Sequence, residues 1–300
     1  MRGKNVSFLI LTGLLVLTLL ATAVGCQPTP APVPTEAAPE QEKEPTAAPA
    51  EPEAEGQISV AGSTTVQPLA EKLAEAFASV KPGVQIDVQG GGSSVGVKSA
   101  GQGQTDIGAA SREVKESELE EYPDLQVFTI ARDGIAVAVH PGVAVDGLTK
   151  DEVRDIFAGE IVNWSEVGGP DKPIVVVSRE EGSGTRAAFE EMVMGKDGPV
   201  IADTAILQPS NGALRTTVST TPDSIGFLSF GYLDSSTKAL AVDGVLPTPE
   251  NASNGTYPIV RPLNMMTNGE PGDLAKAWLD FIFSAEGQAI VADEGYISVD

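Results

Sequence analysis

The chain has 300 residues, 41% of them hydrophobic, and a formal charge of −23 from 19 basic and 42 acidic side chains. That length accommodates a large core and more than one lobe, and the acidity excludes a nucleic-acid partner, whose phosphates require a basic face. Three of the basic and seven of the acidic residues precede residue 57, so the rest still carries about −19. Any small anion must then be held by short-range dipoles and hydrogen bonds against a repulsive long-range field.

Arg2 and Lys4 precede an apolar run from Val6 to Leu20, followed by small residues up to Gly25 and then Cys26, the single cysteine. One cysteine excludes an internal disulfide framework. The pattern is that of an export signal over residues 1–25 ending at a lipid attachment site, Cys26. It resembles a bacterial lipoprotein signal, with Ala23 where leucine usually stands. Residues 6–24 are also long enough to remain as an uncleaved membrane anchor. In both readings the chain beyond residue 26 lies outside the cytoplasmic membrane. Residues 26–56 interleave Pro, Ala, Thr and Glu with no apolar periodicity, so burial cannot offset their ordering entropy. They read as a disordered tether reaching up to about 90 Å at about 3.1 Å per residue.

From Gln57 the pattern changes. Ile58 to Val60 reads as a strand, Val66, Leu69, Leu73 and Phe77 as one helix face, and Val84, Ile86 and Val88 as an alternating strand. Further strands are expected over 134–139, 174–177 and 225–230, and helices over 149–157, 185–194, 273–283 and 285–292. Strands alternating with helices argue for an α/β protein with largely parallel sheets.

Three segments share one design, a strand running into a Gly/Ser/Thr turn that opens a helix: VAGSTTVQPL from residue 60, VQGGGSSVGV from 88 and VVVSREEGSGTRAAF from 175. Glycines let the backbone approach a ligand closely, and the first N–H groups of a helix lack intrahelical partners. Ser63, Thr64, Thr65, Ser93, Ser94, Ser183, Gly184 and Thr185 put donors at these ends. An isolated example is an ordinary helix cap. Three together, with Arg179 beside one, supply about half a positive charge each plus a full one, enough to balance a divalent oxyanion.

GSTTV at 62–66, GGGSSVGV at 90–97, TDIGAASREV at 105–114, DIFAGEIVNW at 155–164, SREEGSGTR at 178–186 and SIGFLSF at 224–230 are, in order and spacing, similar to the phosphate-binding subunit of bacterial phosphate ABC transporters. The resemblance runs from about Ile58 to the C-terminus. It implies a two-lobed type II periplasmic-binding-protein fold joined by crossover strands, with lobe I formed by 57–138 and 228–300 and lobe II by 139–227. It also implies inorganic phosphate closed in between, a membrane permease as partner, no cofactor, and a monomer. By position, Thr64, Ser93 and Asp106 would bind phosphate from the first lobe, and Arg179, Ser183, Gly184 and Thr185 from the second. Asp106 carries a further expectation: a carboxylate only accepts, so it would favour phosphate, which keeps a hydroxyl, over sulfate. Its alternative is a turn cap near a strand end, and that of Arg179 is a surface ion pair with Glu180 or Glu181.

Molybdate, tungstate and sulfate are the alternative ligands within the binding class. A secreted serine hydrolase is the alternative among enzymes. It would have to use the single imidazole, His140, and no G-x-S-x-G elbow surrounds Ser63 or Ser183. No P-loop is present, and the acids lack EF-hand spacing.

Overall fold

The computed structural model describes residues 56–299. The export signal, Cys26 and the tether up to residue 55 lie outside the described residues.

Strand β1 (Gly56–Gly62) leads through the first Ser/Thr turn into α1 (Val66–Val80), and β2 (Val84–Gly90) through the second into α2 (Ser93–Gly101). Then come β3 (Ile107–Ala110), α3 (Glu116–Glu121), β4 (Leu125–Val139), β5 (Gly147–Leu148) and α4 (Lys150–Ala158). β6 (Val175–Arg179) runs through the third turn into α5 (Gly184–Phe189), which continues as a π-helical turn over Glu190–Met194. β7 (Ile206–Gln208), α6 (Asn211–Thr220), β8 (Ser224–Ser229), β9 (Lys238–Ala239), β10 (Ala241–Val242) and α7 (Pro249–Ser253) follow, and β11 (Val260–Asn268), α8 (Asp273–Ile282) and α9 (Ala285–Asp293) close the chain.

Local chemistry accounts for these elements. The 3.6-residue spacing of Val66, Leu69, Leu73 and Phe77 buries one face of α1 against the sheet. Helix α4 opens on a reciprocal cap, in which Glu152 N–H donates to Thr149 Oγ1 and Thr149 N–H donates back to Glu152 Oε2 at 2.7 Å. It stops at Gly159, whose φ of +79° suits a residue without Cβ.

The main sheet runs β2-β1-β3-β11-β4-β8-β6-β7, with β9 also paired to β4. Pairs β1–β2, β1–β3, β6–β7 and β6–β8 are parallel. Pairs β3–β11, β4–β11 and β4–β8 are antiparallel. The parallel pattern expected from sequence therefore holds at the two flanks and gives way in the middle, where β4 and β11 cross between lobes. β4 is the longest strand at 15 residues, about 50 Å when extended, and the strand expected over 134–139 is only its second part. Its first part pairs with β11 and its last five residues pair with β8.

Two separate cores lie on either side of that crossing. Ile58, Leu69, Leu73, Phe77, Met265 and Trp278 belong to one. Phe157, Trp164, Phe189, Phe227, Tyr257 and Ile259 belong to the other, where the Phe189 and Phe227 rings stack with centroids 4.3 Å apart. Each buries large aromatic and branched side chains, the dominant favourable contribution to a lobe of this size. Phe230, Leu240 and Val242 pack in the second core, although the family resemblance returns the chain to lobe I at residue 228.

Candidate functional site

The three Gly/Ser/Thr turns stand at the C-terminal ends of β1, β2 and β6, and the fold brings them face to face. Thr65 Oγ1 lies 3.1 Å from Thr185 Oγ1. Ser94 N–H donates to Gly182 O at 3.1 Å. Gly184 leaves no room for a side chain against the hydroxyls of Ser93 and Ser111. The two lobes therefore touch through the residues singled out from the sequence.

Several of these hydroxyls also cap helices. Ser63 Oγ accepts from the N–H groups of Thr65 at 3.1 Å and Val66 at 3.3 Å, Ser183 Oγ from Arg186 N–H at 3.2 Å, and Ser93 Oγ from Ser111 N–H at 3.0 Å. Capping and anion binding are compatible, because a hydroxyl that accepts from a backbone N–H still has its proton to donate. Thr64 uses its carbonyl to accept from Tyr232 Oη at 2.7 Å, and the Thr65 carbonyl accepts from Tyr296 Oη at 3.1 Å, which fastens the first turn from behind. Ser94 lies further out, where its Oγ accepts from Arg112 Nη2 at 3.3 Å and it lines a groove of about 300 Å³ at the cleft mouth with Arg186 and Glu190.

Arg179 is 1% exposed, which rules out a surface ion pair with Glu180 or Glu181. Its Nε and Nη2 donate to the carbonyls of Gln208 and Pro209, both at 3.0 Å, and its Nη1 is buried without a partner among the described residues. Burial first, and then the like charge of Arg261, push its pKa down to about 10. It is still protonated at neutral pH, so an approaching anion relieves an unneutralised buried charge.

Asp106 is not part of this cluster. It precedes β3, whereas the turns gather where the strands end. Ser59 N–H and Ser59 Oγ donate to Asp106 Oδ2 at 2.8 and 2.7 Å, and the Ser59 hydroxyl and then its N–H hold the carboxyl below its ordinary range. Its surroundings are a separate groove of about 510 Å³ bounded by Glu270, Asp273 and Leu274. These bonds tie the start of β3 to the neighbouring strand β1. Ser111, which follows the last residue of β3, stands beside Ser93, with its N–H donating to Ser93 Oγ at 3.0 Å. Asp106→Ala is therefore expected to leave both phosphate affinity and discrimination against sulfate unchanged, to within about twofold, in a calorimetric comparison with the unaltered chain.

Further residues join the site that sequence reasoning missed. Asn211, fully buried at the start of α6, donates from Nδ2 to Thr65 Oγ1 at 2.8 Å and to Thr185 Oγ1 at 3.4 Å. Arg261 Nη2 donates to Thr65 Oγ1 at 3.1 Å and to Asp133 Oδ2 at 2.9 Å. Asp133 neutralises Arg261, and Arg179 has no carboxylate partner, which leaves a net positive centre inside an acidic protein. His140 follows β4, where its Nδ1 accepts from Gly142 N–H at 3.0 Å, and it contacts no hydroxyl of the cluster among the described residues. No helix among them is long and apolar enough to cross a membrane.

Residues 47–286 match the family model of the PBP superfamily domain. The phosphate-binding protein PstS of Bacillus subtilis is 38% identical over 249 residues, covering 82% of either chain. An ABC transporter substrate-binding protein of Clostridium perfringens with bound phosphate superposes with a TM-score of 0.78 at 43% identity, over 81% of this chain and all of its own. An ABC-type phosphate transport receptor of Vibrio cholerae does so with a TM-score of 0.68 at 34% identity, over 81% and 100%. With its crossing strands, two cores and converging helix starts, the chain belongs to the periplasmic-binding-protein superfamily and, within it, to the family of PstS phosphate-binding subunits.

Proposed function

We propose that this protein captures inorganic phosphate between its two lobes and delivers it to the membrane permease of an ABC importer. One observation carries the reading: hydroxyl and amide donors from both lobes converge within hydrogen-bonding distance around buried arginine charge, Thr65 to Thr185 at 3.1 Å and Asn211 to Thr65 at 2.8 Å. Only the closed arrangement offers an oxyanion donors from both lobes at once, so the ligand favours closure by its differential affinity for that state. Charge-assisted hydrogen bonds contribute about 1.5–3 kcal/mol each, and a few per lobe reach micromolar affinity or better, about −8 kcal/mol.

The phosphate contacts in this reading come from Thr64, Thr65, Ser93 and Ser111 on one side and Arg179, Ser183, Gly184 and Thr185 on the other, with Ser63 and Ser94 holding the turns. No covalent chemistry is required, and the protein acts as a carrier, not an enzyme. Lobe I comprises residues 57–131 and the chain again from about Arg261, and lobe II the segment between, because Phe230 and Ile259 pack with the second core. The carrier works outside the cytoplasmic membrane as a monomer, held there by lipid on Cys26 and free to reorient on its Pro/Glu-rich tether.

A titration of the full chain with phosphate, sulfate and molybdate tests the function. Micromolar or tighter phosphate binding is expected, with weaker binding of the other two. Tighter binding of sulfate or molybdate than of phosphate would replace the ligand and keep the site.

A further inference from the structure

Asp133 and Arg261 face each other in the β4–β11 ladder. Both strands pass between the cores at this level: Ala131 and Leu263 pack on one side, Ile135 and Ile259 on the other. Arg261 binds Asp133 Oδ2 through Nε at 3.1 Å and Nη2 at 2.9 Å, and the two side chains are 1% and 0% exposed. Asp133 Oδ1 accepts from Phe230 N–H at 3.1 Å. A buried ion pair is weak evidence for stability, since desolvation offsets most of the attraction. This one also touches the site, and that contact has a chemical consequence.

A hydroxyl has two lone pairs and one proton. Thr65 Oγ1 accepts from Arg261 Nη2 at 3.1 Å and from Asn211 Nδ2 at 2.8 Å, so both lone pairs are engaged and its proton must be donated. Thr185 Oγ1, 3.1 Å away, is one acceptor, and it has a longer contact from Asn211 Nδ2 at 3.4 Å. Thr185, surrounded by donors, must then also donate onward. The chain of hydroxyls has a direction imposed at its arginine end.

We propose that the Asp133–Arg261 pair is a positioning device on the crossover strands that commits Thr65 to donate its one proton to Thr185 and so commits Thr185 to donate onward to the bound anion. The inference rests on the phosphate-binding reading above. A hydroxyl whose proton is spent on another acceptor presents a lone pair to an anion oxygen, which is repulsive. Asp133 fixes the guanidinium, and the guanidinium fills one lone pair of Thr65. Asn211 arrives from the other lobe and fills the second, so the donor direction is completed as the lobes meet. The crossover strands thereby link closure to the polarity of the site without contributing a phosphate contact of their own.

A double-mutant cycle on the full chain tests this by phosphate calorimetry, with thermal midpoints recorded for every variant. Thr65→Val removes the hydroxyl at similar shape. Arg261→Lys keeps a positive charge opposite Asp133 and removes the planar fork. Each single change is expected to weaken phosphate binding about tenfold, and the double to fall within about twofold of the weaker single, because Arg261 acts through Thr65. In a Thr65→Ser background, which keeps the hydroxyl, the tenfold response to Arg261→Lys is expected to return. Independent losses multiplying to about a hundredfold would overturn the proposal, as would wild-type affinity in Arg261→Lys. Should Arg261→Lys not fold, Asn211→Ala, which removes the other donor to Thr65, takes its place in the cycle with the same outcomes deciding. If the unaltered chain binds no phosphate, the parent reading falls first and this one with it; binding by the unaltered chain with a multiplicative cycle overturns the positioning role alone.

Discussion

Arg179→Ala is expected to weaken phosphate binding by roughly a hundredfold to a thousandfold. The guanidinium ends β6 and is held by two neutral carbonyls, those of Gln208 and Pro209, so its charge is neutralised by neither. Asp133 is committed to Arg261. Nη1 has no partner among the described residues, and a phosphate oxygen would supply one. The bond formed is charge-assisted, about 1.5–3 kcal/mol, and the change also removes a buried cation with no carboxylate partner, which offsets the negative field of the chain. Its charge is depleted only as pH rises through about 10, so its contribution to affinity is constant near neutrality and is lost in that alkaline window. Arg179→Lys is expected to recover only part of the loss, since a point charge does not reproduce the fork. Calorimetry measures the affinity. A second readout is the stabilisation by saturating phosphate, about 4 kcal/mol at a thousandfold excess over Kd, which at the same concentration should fall to about 0.4–1.4 kcal/mol in the alanine variant. A loss below about threefold would make the buried arginine a structural residue.

How much of this was legible beforehand depends on whether the signal was local. The turns after β1, β2 and β6 announce themselves, because strand, glycine, hydroxyl and helix start are contiguous in each. A fourth instance, Ser210 and Asn211 opening α6, has the same design, and Ser210 caps it by accepting from Ala213 N–H at 3.0 Å. It was missed because β7 spans three residues, two of them exposed, and carries no strand pattern. Asp106 drew notice as an acid inside a site motif. Its exclusion follows from register, since Val60 pairs with Ile107 and Gly62 with Ala109, setting Asp106 beside Ser59 and upstream of the turns. The Asp133–Arg261 pair joins residues 128 apart in sequence. Nothing local to ARDG or to VRP announces it; it exists only because β4 and β11 lie antiparallel at the crossing. The long β4 was half legible for a related reason, as Arg132 and Asp133 interrupt its apolar run where it leaves one core for the other.

Gly184→Ala is expected to lower phosphate affinity about a hundredfold or more while the ligand-free protein keeps its stability. Gly184 opens α5 with an ordinary backbone conformation, so alanine is locally tolerated, and Gly→Ala at such a position stabilises by about 0.4–1 kcal/mol through the unfolded chain. The obstacle lies across the cleft. A Cβ there would overlap Ser93 Oγ and stand 2.7 Å from Ser111 Oγ and 2.9 Å from Ser93 Cβ. Neither serine can swing aside freely, because Ser93 Oγ is tied to Ser111 N–H at 3.0 Å. The added methyl is therefore a wedge between lobes: each lobe folds, and the two half-sites stop short of meeting. Affinity should fall because donors of only one lobe reach the anion at full strength, and small-angle scattering should show no compaction on adding phosphate. Destabilisation of the ligand-free protein in step with the loss of affinity would point to damage inside α5. Wild-type affinity would mean that the lobes bind phosphate without closing to the distances described, and the closure on which capture depends would have to be abandoned.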